Sequence, residues 1–206
     1  MSSVKKNLKK AESLAKFQIA LNIVPHIASL TGSQLGGSPF VPKSLDFARD
    51  TAGEILPLFC QINFANMPAI LGFPKSGLFQ MFVSGGELDE AVNEAVVFRY
   101  LKAEQLLEES RDMSAYKTQA PWMLVDSTVK SITGVKKDYK IRSKHTIGGR
   151  PNFVQEKVYE DHVNFLQFDS EDGIMVGENG IMHVFVTNED LEELNFDNAE
   201  FHFDCC

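Results

Sequence analysis

Apolar residues near the start of the chain recur at steps of three and four: Val4, Leu8, Ala11, Ala15 and Ile19, with Leu14, Phe17, Leu21 and Val24 widening the stripe. That period belongs to an amphipathic helix, capped by Ser2 or Ser3 and stopped near Ile23 or Val24 by Pro25. Packing on its own domain suits such a helix better than lying on a membrane. A second, short helix is expected over residues 27–30. From Gly36 onward, glycines, prolines and short runs rich in β-branched and aromatic residues replace the helical period. These runs predict strands over 56–63, 77–83 and 95–101, the last in competition with one long helix over 88–109. A helix over 103–110 follows, then a loop with Pro121-Trp122 and a second polar segment. Further on, strands are expected over 163–168 and 180–187, then a helix over 189–194 capped by Asn188, with acids in its first turn. Phe201 and Phe203 alternate with His202 and Asp204, the mark of a strand with one buried face.

Three of these segments occur twice in the same order. Leu35-Gly36-Gly37-Ser38-Pro39-Phe40-Val41 returns as Ile147-Gly148-Gly149-Arg150-Pro151-Asn152-Phe153-Val154, and Leu58-Phe59-Cys60-Gln61-Ile62-Asn63 as Asn164-Phe165-Leu166-Gln167-Phe168-Asp169. Gly77-Leu78-Phe79-Gln80-Met81-Phe82-Val83 returns as Gly180-Ile181-Met182-His183-Val184-Phe185-Val186. The order implies an internal duplication. Its halves would lie at about 31–102 and 145–206 of a single domain spanning 1–206, joined by a connection at about 103–144. The expected fold class is α+β: an internally duplicated, mainly antiparallel β-rich body with an N-terminal amphipathic helix.

Composition narrows the function classes. A chain of 206 residues is long enough to bury a core without staples. Its net charge of −8 excludes nucleic acid as an expected partner and suits a basic protein instead. Three cysteines make no disulfide framework, which points to reduced thiols and a cytoplasmic setting. The basic run from Lys5 to Lys10 resembles the start of a signal peptide. However, Glu12, Lys16, Gln18 and Asn22 interrupt the apolar stretch that should follow, and no window reaches the roughly 20 apolar residues of a membrane span.

Candidate chemistry is sparse. Gly36-Gly37 and Gly148-Gly149 lack the Lys-Ser/Thr of a phosphate loop and read as tight turns. Gln61, Asn63, Gln80, Gln167, Asp169 and His183 are polar residues within apolar strands, costly to bury without partners. In the repeat alignment Gln61 falls on Gln167, Asn63 on Asp169 and Gln80 on His183, so they are the candidate ligand-binding set, converging on a cleft between the halves. The competing reading is that each ties its own sheet to a nearby loop. Asp169 with His183 is the one candidate carboxylate-oriented base. The acidic run Asp169, Glu171, Asp172 and Glu178 around Gly173 departs from the EF-hand spacing and reads as a solvated turn. No metal or cofactor is expected. The histidines form no metal-binding pattern, no Gly-x-Ser-x-Gly elbow occurs, and Cys60 reads as an inert strand residue. Cys205 and Cys206 read as structural.

Gly-Gly-x-Pro-Phe-x-Pro at 36–42, Gln61-Ile62-Asn63, and Phe73-Pro74-x-x-Gly77-Leu78-Phe79-Gln80-x-Phe82 together resemble the YwqG-like family of bacterial proteins. Gly148-Gly149-x-Pro151, Leu166-Gln167-Phe168-Asp169-Ser170, Gly177, Gly180, Asp190-Leu191 and Phe203-Asp204-Cys205-Cys206 extend the resemblance over about residues 30–206. Two positions depart from the family pattern: Leu45-Asp46-Phe47 stands where Trp-Pro is common, and Phe203 replaces a tryptophan. The family is a domain of unknown function, and the resemblance implies at most an immunity or accessory role in a toxin-linked locus. The expectation is therefore a non-enzymatic binding protein with a basic protein or a small molecule as partner. The alternative is a hydrolase or small-molecule sensor that uses the polar cleft.

Overall fold

The computed structural model describes residues 3–25, 29–84, 96–117, 120–125, 128–138, 140, 142–155 and 158–205. Two compact units emerge: one from residues 1–22, 67–74 and 134–206, the other from 23–66 and 75–133. The elements in chain order are α1 (Ser3–Leu14), β1 (Phe17–Val24), β2 (Gln34–Leu35), β3 (Leu58–Asn63), β4 (Leu78–Val83) and β5 (Val96–Leu101). They continue with β6 (Lys130–Asp138), β7 (Thr146–Gly148), β8 (Val163–Asp169), β9 (Ile181–Val186), α2 (Asn188–Glu193) and β10 (Glu200–Asp204).

In the first unit the strand order is β10-β9-β8-β7-β1, antiparallel at every pairing. β8 and β9 are buried along almost their whole length, so both of their faces are covered by protein. Phe165 anchors the core, stacked on Phe73 with centroids 5.9 Å apart and meeting Phe196 edge-on at 4.7 Å. α1 packs against α2 and β8. There Asn188 Nδ2 donates to the Asn7 carbonyl at 3.2 Å, and Lys10 pairs with Glu192.

The second unit follows the order β6-β2-β3-β4-β5, to which β6 contributes its first residues. Phe59, Phe79, Phe82, Leu58 and Leu78 are fully buried on β3 and β4. The Tyr116 hydroxyl accepts from the Leu58 N–H at 2.7 Å and donates to the Leu56 carbonyl at 3.2 Å, which ties residues 113–117 to the start of β3.

The expected α+β fold with an internally duplicated body gives way to a mainly β protein. Ten strands carry the described residues, and α-helix is confined to the 12 residues of α1 and the 6 of α2. Each unit is gathered from separated stretches of chain rather than from one consecutive half. The largest departure is at the N-terminal helix, which stops at Leu14. Residues 17–24 form a strand instead, because Gln18, Ile19 and Ala20 pair with Gly148, Ile147 and Thr146. Ile19, Ala20 and Leu21 are consecutively buried, a pattern that a buried strand and a helix share over a short window.

Smaller departures follow from local chemistry. The helix expected over 103–110 shrinks to a 3-10 segment, Ala103–Leu107. β6 occupies the polar stretch that carried no strand signal, since only Ser131 and Ile132 of it are buried. Thr187, not Asn188, caps α2: its side chain accepts from the Asp190 N–H. β5 bears out the strand reading of 95–101 from Val96 onward over the long-helix one; residues 88–95 lie outside the described residues. The short helix expected at 27–30 lies partly outside the described residues, and Leu30 sits in a turn.

Gly148 ends β7 at φ +68°, where a Cβ would stand 2.7 Å from the Phe17 carbonyl oxygen. Gly53 shares the left-handed conformation at φ +87°, with nothing within 4 Å of its Cβ position. Gly53→Ala should therefore lose only the conformational term, about 1 kcal/mol. Gly148→Ala should lose at least twice that, because backbone must also move. Urea unfolding of both variants tests this, and equal losses would refute the close-approach argument.

Candidate functional site

In the second unit, the three polar candidates are absorbed by the loop that precedes and follows β2. Gln61 is 0% exposed. Its Oε1 accepts from the Phe40 N–H and from Gln80 Nε2, both at 3.2 Å, while its Nε2 donates to the carbonyls of Leu30 (2.9 Å) and Gly32 (2.7 Å). Asn63 Nδ2 donates to the Thr31 carbonyl at 2.8 Å, and its Oδ1 accepts from the Ala65 N–H at 3.0 Å. Gln80 Nε2 also donates to the Phe40 carbonyl at 2.7 Å. These side chains supply donors and acceptors to loop backbone that no neighbouring strand reaches. Gln34, which carried no sequence signal, does the same for the Gly36 and Ser38 carbonyls.

In the first unit, Gln167 makes the corresponding bonds. Its Oε1 accepts from the Asn152 N–H at 2.9 Å, and its Nε2 donates to the carbonyls of Lys144 (2.9 Å) and Ser143 (3.4 Å). Asp169 is engaged locally: its Oδ1 accepts from the Ser170 N–H at 2.8 Å, and its own N–H donates to His145 Nδ1 at 3.2 Å. The opposite ring nitrogen of His145 lies 3.2 Å from Asp172 Oδ2, so Nδ1 accepts and Nε2 carries the proton. Burial lowers the pKa of this imidazole although Asp172 opposes the shift.

His183 is placed elsewhere. Its register partners are Gln167 on β8 and His202 on β10, whereas Asp169 sits opposite Ile181. Both ring nitrogens are buried without a hydrogen-bond partner among the described residues. The ring lies among Phe153 (centroids 5.2 Å), Phe185 (5.3 Å) and His202 (6.1 Å). Burial first, and the neighbouring His202 second, push its pKa down to about 3. Asp169 and His183 therefore form no hydrogen-bonded acid–base pair. Cys60 offers no nucleophile, since complete burial pushes its thiol pKa up. Among the described residues no cluster of three or more His, Cys, Asp or Glu side chains is arranged to hold a metal.

Beside this aromatic group the first unit holds a cavity of about 590 Å³. One wall is α1 with the turn after it, including Lys9, Glu12 and Lys16. A second is the strap 149–153, with Arg150 and Phe153, and a third comprises 158–164 with Phe185. The strap is pinned at several points. Gln167 holds the Asn152 N–H, and Asn152 Nδ2 donates to the Ser143 carbonyl at 3.1 Å. The buried Asp204 carboxylate accepts from the Val154 N–H and from the Gln155 N–H at 3.1 Å. The strap that forms this wall is thus fixed by Gln167, which sequence reasoning offered as a ligand contact, and by the Asp204 of the aromatic-Asp-Cys-Cys run. Tyr159 contributes a backbone in the left-handed region at φ 53°, and Asn164 a buried Oδ1 without a partner among the described residues. Sequence reasoning missed Lys16, Arg150, Phe153, Tyr159 and His162. The signal nearest to them was Gly149-Arg150-Pro151, read as a turn.

Residues 33–205 match a family described as "Domain of unknown function (DUF1963)", and the chain belongs to that family. No curated protein matches the chain.

Two outcomes are expected. Gln61→Leu strands the Leu30 and Gly32 carbonyls and the Phe40 N–H, so urea unfolding should show a loss of about 3 kcal/mol or more. A loss below about 1 kcal/mol would show that the loop does not depend on Gln61. The folded protein keeps His183 neutral, whereas the unfolded chain protonates it below the ordinary value of 6.5. Its contribution is full above pH 6.5 and is lost as the pH falls from 6.5 towards about 3, by up to about tenfold in the folding equilibrium per pH unit. His183→Phe should keep the packing and flatten that part of the Tm-against-pH curve. An unchanged curve would place the titration elsewhere.

Proposed function

We propose that this protein is a non-enzymatic binding protein whose ligand site is the cavity of the first unit. The observation that carries the reading is the wall of that cavity: a strap pinned by Gln167, Asn152 and Asp204 beside Phe185 and Tyr159. A volume of about 590 Å³ falls within the range of small-molecule sites. A site held in shape by buried hydrogen bonds loses little entropy when it is filled. The candidate groups for catalysis support the same reading, since Asp169 is engaged by local backbone and the Cys60 thiol is held protonated. Within its family we place the chain with the YwqG-like bacterial proteins, working in the cytoplasm away from membranes and nucleic acid. An accessory or immunity role in a toxin-linked locus fits a binding protein. The net charge of −8 favours a basic protein as a second partner.

Ser13 lines the cavity and is exposed on the last turn of α1, so Ser13→Trp should fill the space without disturbing the core. Protein purified from its native cells should release a small molecule on denaturation, read by mass spectrometry, and the Trp variant should release none. No compound from the wild type, or equal amounts from both, would rule out the cavity as the site. A salt-sensitive basic protein captured by both forms would support the second reading.

A further inference from the structure

We infer that the cavity takes a flat aromatic or heteroaromatic ring bearing an anionic group; this deepens the binding reading above and rests on it. The ring follows from the arrangement of aromatic side chains. Phe153 and Phe185 lie 14° from parallel with centroids 6.2 Å apart, and Tyr159 lies 29° from Phe185 at 5.1 Å. All three line the cavity. A cage for a quaternary ammonium turns several ring faces towards one point. Near-parallel rings instead offer a stack that another planar ring extends.

Tyr159 is held for this purpose at some conformational cost. Its φ of 53° is uncommon for a bulky residue. The Tyr159 carbonyl also accepts from the His162 N–H at 2.9 Å, closing a turn that presents both rings edge to face. Strained backbone of this kind concentrates at ligand sites, where the surrounding structure over-determines it.

The anionic group follows from the rim. Lys9, Lys16 and Arg150 line the cavity against Glu12 and Glu160, three positive charges to two negative in a chain whose net charge is −8. Lys9 and Lys16 are exposed and make no ion pair among the described residues. They belong to α1 and the turn after it, whereas Phe153 and Phe185 belong to the strap and to β9. A ligand with its ring on the stack and its anion towards α1 meets both. The space of about 590 Å³ accommodates a bicyclic ring with a carboxylate or phosphate.

The test is titration calorimetry on the full chain with 2-naphthoate, 2-naphthyl phosphate and the neutral 2-naphthamide. Either anionic probe should bind about tenfold or more tightly than the amide, and which one leads identifies the group. In Lys9→Gln/Lys16→Gln the ratio of anion to amide affinity should fall at least about threefold, and Ser13→Trp should abolish all binding. Equal affinity for amide and anions would overturn the anionic part and leave the cavity reading standing. Failure of all three probes, with a compound still released from native protein, would overturn the ring class alone. Binding that survives Ser13→Trp would place the probes outside the cavity and overturn the inference, and failure of all three with nothing released would remove the binding reading itself.

Discussion

The need to satisfy buried loop backbone governs this protein more than any single apolar contact. Leu30, Gly32 and Phe40 present carbonyl or N–H groups beside β3, and Ser143, Lys144 and Asn152 do so beside β8, where no neighbouring strand pairs with them. Glutamine suits the task because its amide carries an acceptor and two donors on a reach long enough to leave the strand. An apolar residue at Gln61 or Gln167 would improve the strand and orphan the loop. The loops in turn bring Gly36-Gly37 and Gly148-Gly149 into the left-handed conformation that lets the chain reverse.

That requirement also shapes the cavity. The strap 149–153 carries Phe153 and Arg150, and its position depends on Gln167 from β8, Asn152 from the strap itself and Asp204 from β10. Of the polar residues embedded in strands, Gln167 supports the wall of this cavity, whereas Gln61, Asn63 and Gln80 hold the loops of the second unit. Beside the cavity, His183 keeps two ring nitrogens in an aromatic surrounding, a cost that an apolar residue would avoid. The price in stability is borne at neutral pH only as desolvation of a neutral ring, which is far smaller than burying its charge.

The legibility of the chain divides along physical lines. β3, β4, β8 and β9 were readable because apolar runs between glycine and polar breaks belong to strands buried on both faces. β5 was readable as strand from Val96-Val97-Phe98, although its neighbourhood also fits a helix. The segment 17–24 was misread because three or four consecutive buried residues extend a helical stripe as naturally as they fill a strand. β6 left almost no trace, since most of its side chains are exposed and its strand state comes from pairing.

The order of apolar runs, the paired Gly-Gly-x-Pro turns and the burial of glutamine within strands were all present in the linear sequence. Each reflects a local rule: period, backbone conformation, or the cost of an unpartnered polar group. The partners of those glutamines were not, because the acceptors are backbone carbonyls, identical in every residue and placed only by folding. Nor was the cavity, whose walls come from 8–16, 149–153, 158–164 and Phe185. A lysine on α1, an arginine on a strap and a phenylalanine on β9 have no spacing rule between them, and long-range packing alone makes them neighbours.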